Sequence, residues 1–382
     1  MITVGIDASN LRLGGGRSHL VQVLEAWEPT TDAIGRVIVW GSRDTLALLP
    51  ARSWLDLVPE AMLDGGLPQR LLWQRRVLPK RLGHDRTILF APGGMIPSGV
   101  HPVVTMSRTM LPFEASERAR YSGIARLRLE LLRRAQSNAF TDADGVIFLT
   151  RYARDAILPQ LHRTPQRVAV IPHGLDARFS RPPREQLPIG SYTVQHPFKL
   201  IYVSTIEAYK HHERVARAVL RLRVRFPISI DFVGHGDRVA VAALERSLRS
   251  LDPGATVVRY LGGLPFSEVH AAYDQADGIV FASSCENMPN VLLEGMATAL
   301  PIACSRRGPM PDILEEGGFY FDPESVDSIA SALETLLLST DERRRRIGIA
   351  MRAADRFSWS ACARDTFSFL LEVYQSRGSA SA

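Results

Sequence analysis

Two glutamates, Glu286 and Glu294, flank the segment Asn287-Met288-Pro289-Asn290-Val291-Leu292-Leu293. The run Gly278–Ala282 just before them reads as a buried strand, so the junction is strand, loop and helix N-terminus. Pro289 suits a helix start, because its missing N–H costs nothing there. The backbone N–H groups from Asn290 onward are then free to meet an anion. Glu294 falls in an apolar stretch with Val291, Leu292, Leu293, Met296 and Ala297. A buried carboxylate needs donors, and a vicinal diol offers two hydroxyls to its two oxygens. On these residues alone, complementing the helix dipole is an equal alternative for Glu294. Such a junction has the groups to hold a sugar nucleotide by its phosphates, its ribose and its sugar.

Other segments end strands in the same manner. Ile6–Arg17 carries Gly14-Gly15-Gly16 ahead of a helix expected over 18–27, and glycines there let backbone approach a phosphate. It lacks the third glycine of a dinucleotide fingerprint and the lysine of a nucleotide P-loop. A flexible tight turn is the bland alternative. Tyr202–His212 holds Thr205 and Lys210, one of only three lysines against 43 arginines. A lysine at a strand's carboxyl end is a point charge suited to phosphate, although surface lysines are commoner. His211 and His212 are sequence neighbours, which rarely point at one ion, so no metal site is expected. Gly234-His235-Gly236 and Leu261-Gly262-Gly263-Leu264 are short strand-to-helix turns that either wall a base pocket or simply turn.

The elements that must position these residues are α/β in pattern. Short apolar runs alternate with amphipathic stretches, as in layered folds with parallel strands. Strands are expected at 3–6, 37–40, 87–90, 103–106, 145–149 and 168–171, then at 200–204, 229–233, 257–260, 278–282 and 302–305. Helices are expected at 214–225 and 238–250 among others. A chain of 382 residues suggests two domains. Arg181–Pro197 holds four prolines and lacks periodicity, so 1–180 and 198–358 read as domains joined by the linker 181–197. A last helix near 360–376 is placed to cross back to the first domain. Two α/β halves facing one another would leave a cleft at the carboxyl ends of their strands.

Composition narrows the class. The chain is 46% hydrophobic and 23% charged, as an ordinary globular protein is. Its net charge is +6, and residues 1–180 hold 23 Lys+Arg against 16 Asp+Glu, so the excess lies in the first half. That half suits an anionic partner: a membrane surface, a nucleic acid or a phosphorylated acceptor. Two basic stretches there, Pro68–Gly83 (with Arg75 and Arg76) and Arg118–Arg134 (with Arg128), interleave arginine with leucine and aromatics. They read either as membrane-surface elements or as solvated helix faces. Three cysteines without metal-ligand spacing fit a reducing compartment. With no signal peptide read at the N-terminus and no apolar run near ~18 residues, the expectation is a cytoplasmic protein, peripheral where it meets a membrane.

The segment Tyr273–Pro301 then carries a family resemblance. Tyr273-Asp274-Gln275-Ala276-Asp277, the strand, Ser284-Cys285-Glu286, Glu294-Gly295-Met296 and Leu300-Pro301 resemble the paired-glutamate motif of retaining nucleotide-sugar glycosyltransferases of family 4, which have the GT-B fold. Val170–Asp176, the glycine loop and Gly234-His235-Gly236 are similar in the same order, so the resemblance spans nearly the whole chain. The variant Val203–Ile206 with Tyr209-Lys210-His211 resembles a subgroup among bacterial surface-polysaccharide transferases. The resemblance implies two Rossmann-like domains and a hexose, mannose by subgroup, moved with retention from a GDP- or UDP-sugar to a glycan or lipid-linked glycan. No cofactor or metal is implied. Glu294 is expected on the ribose, and Glu286 beside the sugar. The backbone of Asn287, Met288, Pro289 and Asn290 is expected on sugar and phosphate. Lys210 with Gly15 and Gly16 is expected on the diphosphate, and Thr205, Gly234 and Leu264 complete the donor pocket. Negative charge building on a departing nucleoside diphosphate is what such cations and N–H groups stabilise. Thr205 stands where the family often has an arginine. No histidine follows Val103–Met106, so Arg108 and Glu114 are the substitutes considered, with Arg108 counted beside Glu286 and Lys210 as catalytic.

Two other readings remain at this point. A nucleotide-sugar epimerase of the same fold would need acid/base groups around the sugar. A non-enzymatic binder of anionic polymers would show salt-steep nucleic-acid binding, but no nucleic-acid motif is present.

Overall fold

The computed structural model describes residues 1–12, 14–29, 33–83 and 86–380, and of 378–380 the backbone alone. Leu13, part of the glycine segment, lies outside the described residues. The chain forms two compact units, Met1–Gly174 with Phe357–Ala382, and Leu175–Arg356. The division falls at Gly174/Leu175 rather than after residue 180. The stretch expected as a linker, 181–197, is packed within the second unit. Arg181 forms a fork to the Asp274 carboxylate at 2.8 and 3.0 Å, and Arg184 donates to the carbonyl of Ala276 at 2.8 Å. Fully buried Arg343 holds Gln186 by its side chain and Leu187 by its carbonyl. Prolines broke the periodicity of this stretch without releasing it from the domain.

The first unit is built on strands β1 (Ile2–Asp7), β2 (Ile34–Gly41), β3 (Leu55–Pro59), β4 (Thr87–Ala91), β5 (Val103–Met106), β6 (Gly145–Phe148) and β7 (Arg167–Val170). They form one sheet in the order β3-β2-β1-β4-β5-β6-β7, with every pair parallel. Central strands such as β5 are buried at every position, which explains their near-continuous apolar sequence. The helix Trp359–Ala380 belongs to this unit. Phe367 stacks on Trp27 at 3.9 Å between ring centroids, and Phe369 and Val373 close over Gly145, where a Cβ would lie 2.8 Å from Val373.

The second unit carries β8 (Phe198–Val203), β9 (Ile228–Val233), β10 (Val258–Tyr260), β11 (Gly278–Phe281), β12 (Ile302–Ser305) and β13 (Gly318–Phe321). Their order is β10-β9-β8-β11-β12-β13, again all parallel. In both sheets the winding reverses beside the first strand, between β1 and β4 and between β8 and β11. In open α/β sheets that switch point, at the strands' carboxyl ends, is where ligands bind.

Two strands escape the sequence pattern. β3 is an edge strand that alternates Leu with Asp and ends in proline; β13 is a four-residue aromatic edge behind two glycines. The first helix starts at Gly15, three residues earlier than read from sequence, with Gly14 at φ 66° as its N-cap. Gly15 and Gly16 are therefore its first turn, where N–H groups have no helical partner.

Candidate functional site

The second unit brings Lys210 and Glu286 together across its switch point. Lys210 follows β8 and Glu286 follows β11, and the Lys210 ammonium donates to the Glu286 carboxylate. Lys210 is 7% exposed and also lies 5.4 Å from the centre of the Phe281 ring. Its placement depends on the next residue. His211 adopts a left-handed conformation (φ 54°, ψ 31°) and ends the single turn Ala208–Lys210. Arg214 donates to His211 Nδ1 at 3.0 Å, which leaves Nε2 to donate to Ser284 Oγ at 2.8 Å. The Ser284 N–H in turn donates to the Tyr209 carbonyl at 2.9 Å. Two loops separated by more than seventy residues are thus stitched together, one carrying the cation and the other the carboxylate.

His212 turns away into the core. It meets Ser204 Oγ at 2.9 Å and stacks on Tyr202, and burial pulls its pKa down to about 3. Among the described residues no group of three His, Cys, Asp or Glu is placed to hold a metal ion.

The helix Asn290–Ala297 starts after Pro289 at its N-cap. Asn287, Met288 and Pro289 are buried, and Asn290 is half-buried at the helix start. Glu294 is buried one turn on. Desolvation raises its pKa to about 7; Asp176 pushes the same way and Arg178 opposes. Arg178 pairs with Asp176 at 2.7 Å and lies 4.6 Å over the Phe266 ring. Beside them Tyr273 is fully buried and its hydroxyl has no hydrogen-bond partner among the described residues. A carboxyl kept half-protonated by burial near neutral pH is a group prepared to receive hydroxyl donors.

Thr205, Gly234 and Leu264 sit in the adjoining loops after β8, β9 and β10. Thr205 is exposed and Leu264 half-buried. Gly234 allows no side chain, since a Cβ there would lie 1.7 Å from the Ser204 carbonyl oxygen. Its N–H donates to Gly262 and its carbonyl accepts from the Tyr260 hydroxyl at 2.8 Å. The His235 ring covers Gly263, where a Cβ would lie 1.9 Å from it. The Ser204 carbonyl accounts for Gly234, and the His235 ring for Gly263, without a ligand.

The remaining expected residues lie in the first unit. Arg108, after β5, donates to the Gly16 carbonyl at 3.4 Å, and a Cβ on Gly16 would lie 3.1 Å from its Cζ. Burial lowers the Arg108 guanidinium to about 10, and it has no carboxylate partner among the described residues. Buried His19, on the same helix as Gly16, lies 4.7 Å from the His173 ring and 5.7 Å from that of Trp359. Burial, with His173 and Arg108, holds His19 well below the usual imidazole range. Glu114 accepts from the Tyr152 hydroxyl, so its carboxylate is tied to the helix Arg151–Ile157 that follows β6. Sequence reasoning named His211 and Ser284 only as motif members and gave them no role, and it passed over Arg178 and His19. For Arg178 a signal existed in Asp176 two residues before it; for His211 nothing but its neighbour Lys210 pointed to it.

Residues 197–339 match the family model for glycosyl transferases group 1. The O-antigen chain mannosyltransferase B of Escherichia coli is 23% identical over 304 residues, 78% of this chain and 77% of that protein. A GDP-mannose-dependent alpha-(1-6)-phosphatidylinositol monomannoside mannosyltransferase of Mycolicibacterium smegmatis is 29% identical over 60% of this chain and 63% of its own. Among solved structures, the sucrose-phosphate synthase of Thermosynechococcus elongatus superposes with a TM-score of 0.72 at 16% identity, covering 98% of this chain and 100% of that one. Anabaena HepE in complex with UDP and glucose gives 0.72 at 18% identity, covering 97% and 99%.

Proposed function

Since residues 197–339 belong to the glycosyl transferases group 1 and the whole chain has the GT-B fold, we propose that this glycosyltransferase moves a hexose, with retention, from a nucleotide-diphosphate sugar to a glycan or lipid-linked glycan of a bacterial cell surface. The observation that carries the reading is the Lys210–Glu286 pair at the switch point, followed by the helix Asn290–Ala297 that carries buried Glu294 in its second turn. In this reading the Glu294 carboxylate accepts from the ribose diol. The N–H groups at the start of the helix Asn290–Ala297 face phosphate and sugar. Lys210 stabilises charge on the departing diphosphate, and Glu286 orients both the ammonium and the donor sugar. In the first unit Gly15, Gly16 and Arg108 are donors of the kind that suits phosphate charge. No protein nucleophile is needed if the acceptor attacks the face that the diphosphate leaves. The reaction uses protein cations and helix N-termini and calls on no metal. Two relatives named as mannosyltransferases support mannose as the sugar, and the one named GDP-mannose-dependent supports GDP as the nucleotide.

A peripheral membrane contact belongs to the same reading. On the helix Gly123–Asp142, Ile124, Leu127 and Leu131 are exposed in one stripe, with exposed Arg126 and Arg128 between them. That arrangement suits an anionic membrane face. Calorimetric titration with GDP-mannose and UDP-glucose, followed by transfer assays with Glu294→Ala, tests the proposal. A chain that binds no nucleotide sugar, or a Glu294→Ala variant that transfers as the wild type does, sinks it.

A further inference from the structure

Beside the loop that leaves β1, Arg12 reaches the segment just before Arg70 and Arg70 reaches the segment just before Arg12, and neither has a carboxylate partner among the described residues. Arg12 donates to the carbonyls of Gly65 at 2.9 Å and Asp64 at 3.3 Å. Arg70 donates to the carbonyl of Ser9 at 3.3 Å and to Asn10 Oδ1 at 3.2 Å, while its Nε is buried without a partner. Elsewhere in the same unit arginines find acids: Arg120 takes Glu117, Arg133 takes Glu130, and Arg167 takes Glu372. Carbonyl and amide oxygens orient a guanidinium but do not neutralise it. Two such cations side by side, both half-buried, leave a concentration of positive charge with donor N–H groups to spare. The Arg70 guanidinium is lowered by burial and by the Arg12 charge, as expected of cations held close together.

The location is that of a ligand site. The loop lies at the carboxyl end of β1, against the loop after β4, where a Cβ on Gly93 would lie 3.0 Å from that of Asn10. This is the switch point of the first sheet. On the loop's other flank Leu11 touches Gly16, which Arg108 holds. The Arg12–Arg70 group and Arg108 therefore adjoin the same loop.

We propose that Arg12 and Arg70 form an anion subsite that takes a phosphate group carried by the acceptor. The inference rests on the glycosyl-transfer reading for the word acceptor alone; the subsite itself stands on the two arginines. Guanidinium forks match phosphate oxygens in pairs, and a phosphomonoester and a lipid phosphodiester share that chemistry.

Two probes separate these sources: inorganic phosphate titrated into the full chain by calorimetry, and pelleting with vesicles of phosphatidylglycerol in phosphatidylcholine. Phosphate binding at least tenfold weaker in Arg12→Gln/Arg70→Gln than in the wild type supports a soluble phosphorylated acceptor. Vesicle binding lost in that variant supports a lipid phosphodiester. If both probes bind the variant and the wild type alike, or bind neither, the proposal is overturned. Should Arg70→Gln fail to fold, Arg12→Gln alone is read by the same criteria. UDP and GDP titrated alongside report on the second unit. A wild type that binds phosphate through these arginines but no nucleotide fails the glycosyl-transfer reading and leaves the anion subsite standing.

Discussion

The Lys210 ammonium donates to the Glu286 carboxylate across 76 residues of sequence, and each side chain is largely buried. Removing one member of such a pair leaves the other charge without a partner, which costs more than removing both. Lys210→Met should therefore lower stability by about 2 kcal/mol or more, and the double variant Lys210→Met/Glu286→Gln should recover part of that loss. Turnover should fall by about 10²–10³ in both, as when one preorganised donor to developing negative charge is lost. Thermal melts and steady-state kinetics on the three proteins check this; a double variant less stable than the single one contradicts it.

His211 holds the turn that carries Lys210. Its left-handed backbone and its ring bonds to Arg214 and Ser284 fix the direction of the turn. Asparagine tolerates that backbone but cannot span both partners. His211→Asn should keep its melting temperature within a few degrees and lose about tenfold in turnover, with little change in donor KM. His211→Ala should add a backbone cost of about 1–2 kcal/mol. An unchanged turnover in His211→Asn would remove the positioning role.

The placement of Lys210, Glu286 and Glu294 was legible in sequence because parallel strands announce themselves by apolar runs, and each of the three lies in the segment that follows one. What was not legible depends on conformation or on strand order. A histidine in a left-handed turn carries no sequence signal, since glycine and asparagine are the usual markers. Arg12 and Arg70 look like two surface cations until β1 and the helix Leu67–Leu72 bring them to one loop. Edge strands β3 and β13 escaped because half-exposed or aromatic short strands lack the buried run of central ones. The prolines of 181–197 read as a linker, yet the segment is tied down by Arg343, a buried cation no local pattern predicts.

The stripe Ile124, Leu127 and Leu131 should bind anionic vesicles together with Arg126 and Arg128. Ile124→Ser/Leu127→Ser/Leu131→Ser should weaken pelleting without lowering the melting temperature, because these side chains are already in water. Charge reversal at Arg75, Arg76 and Arg128 should weaken pelleting, and raised salt should weaken that of the wild type. Pelleting that survives both sets of changes would return the stripe to ordinary solvated surface.

Arg108 is a half-buried cation held against Gly16 with no acid beside it among the described residues. The free protein bears the desolvation of that charge, and an anionic ligand relieves it. Arg108→Met should leave the melting temperature of the free chain unchanged or higher. The same variant should lose turnover, and the thermal shift produced by the nucleotide sugar should shrink. A variant that is both destabilised and fully active would reverse the assignment.

Glu294 connects stability, binding and pH. Burial raises its pKa from 4.5 to about 7, so the folded state binds more protons than the unfolded chain between those values. Stability must then fall as pH rises through that window and level off above it. The full effect is at most about 3 kcal/mol. Glu294→Gln, which cannot ionise, should raise the melting temperature at pH 8 and do little near pH 4.5. Binding should run the other way. A ribose diol donates both protons, so it needs the carboxylate, and GDP or UDP should bind the wild type more tightly as pH rises through about 7. In Glu294→Gln that dependence should vanish and affinity should drop at pH 8. Wild-type nucleotide affinity that stays flat from pH 5.5 to 8.5, measured by calorimetry, would mean that Glu294 is no ribose anchor and serves only the helix that carries it.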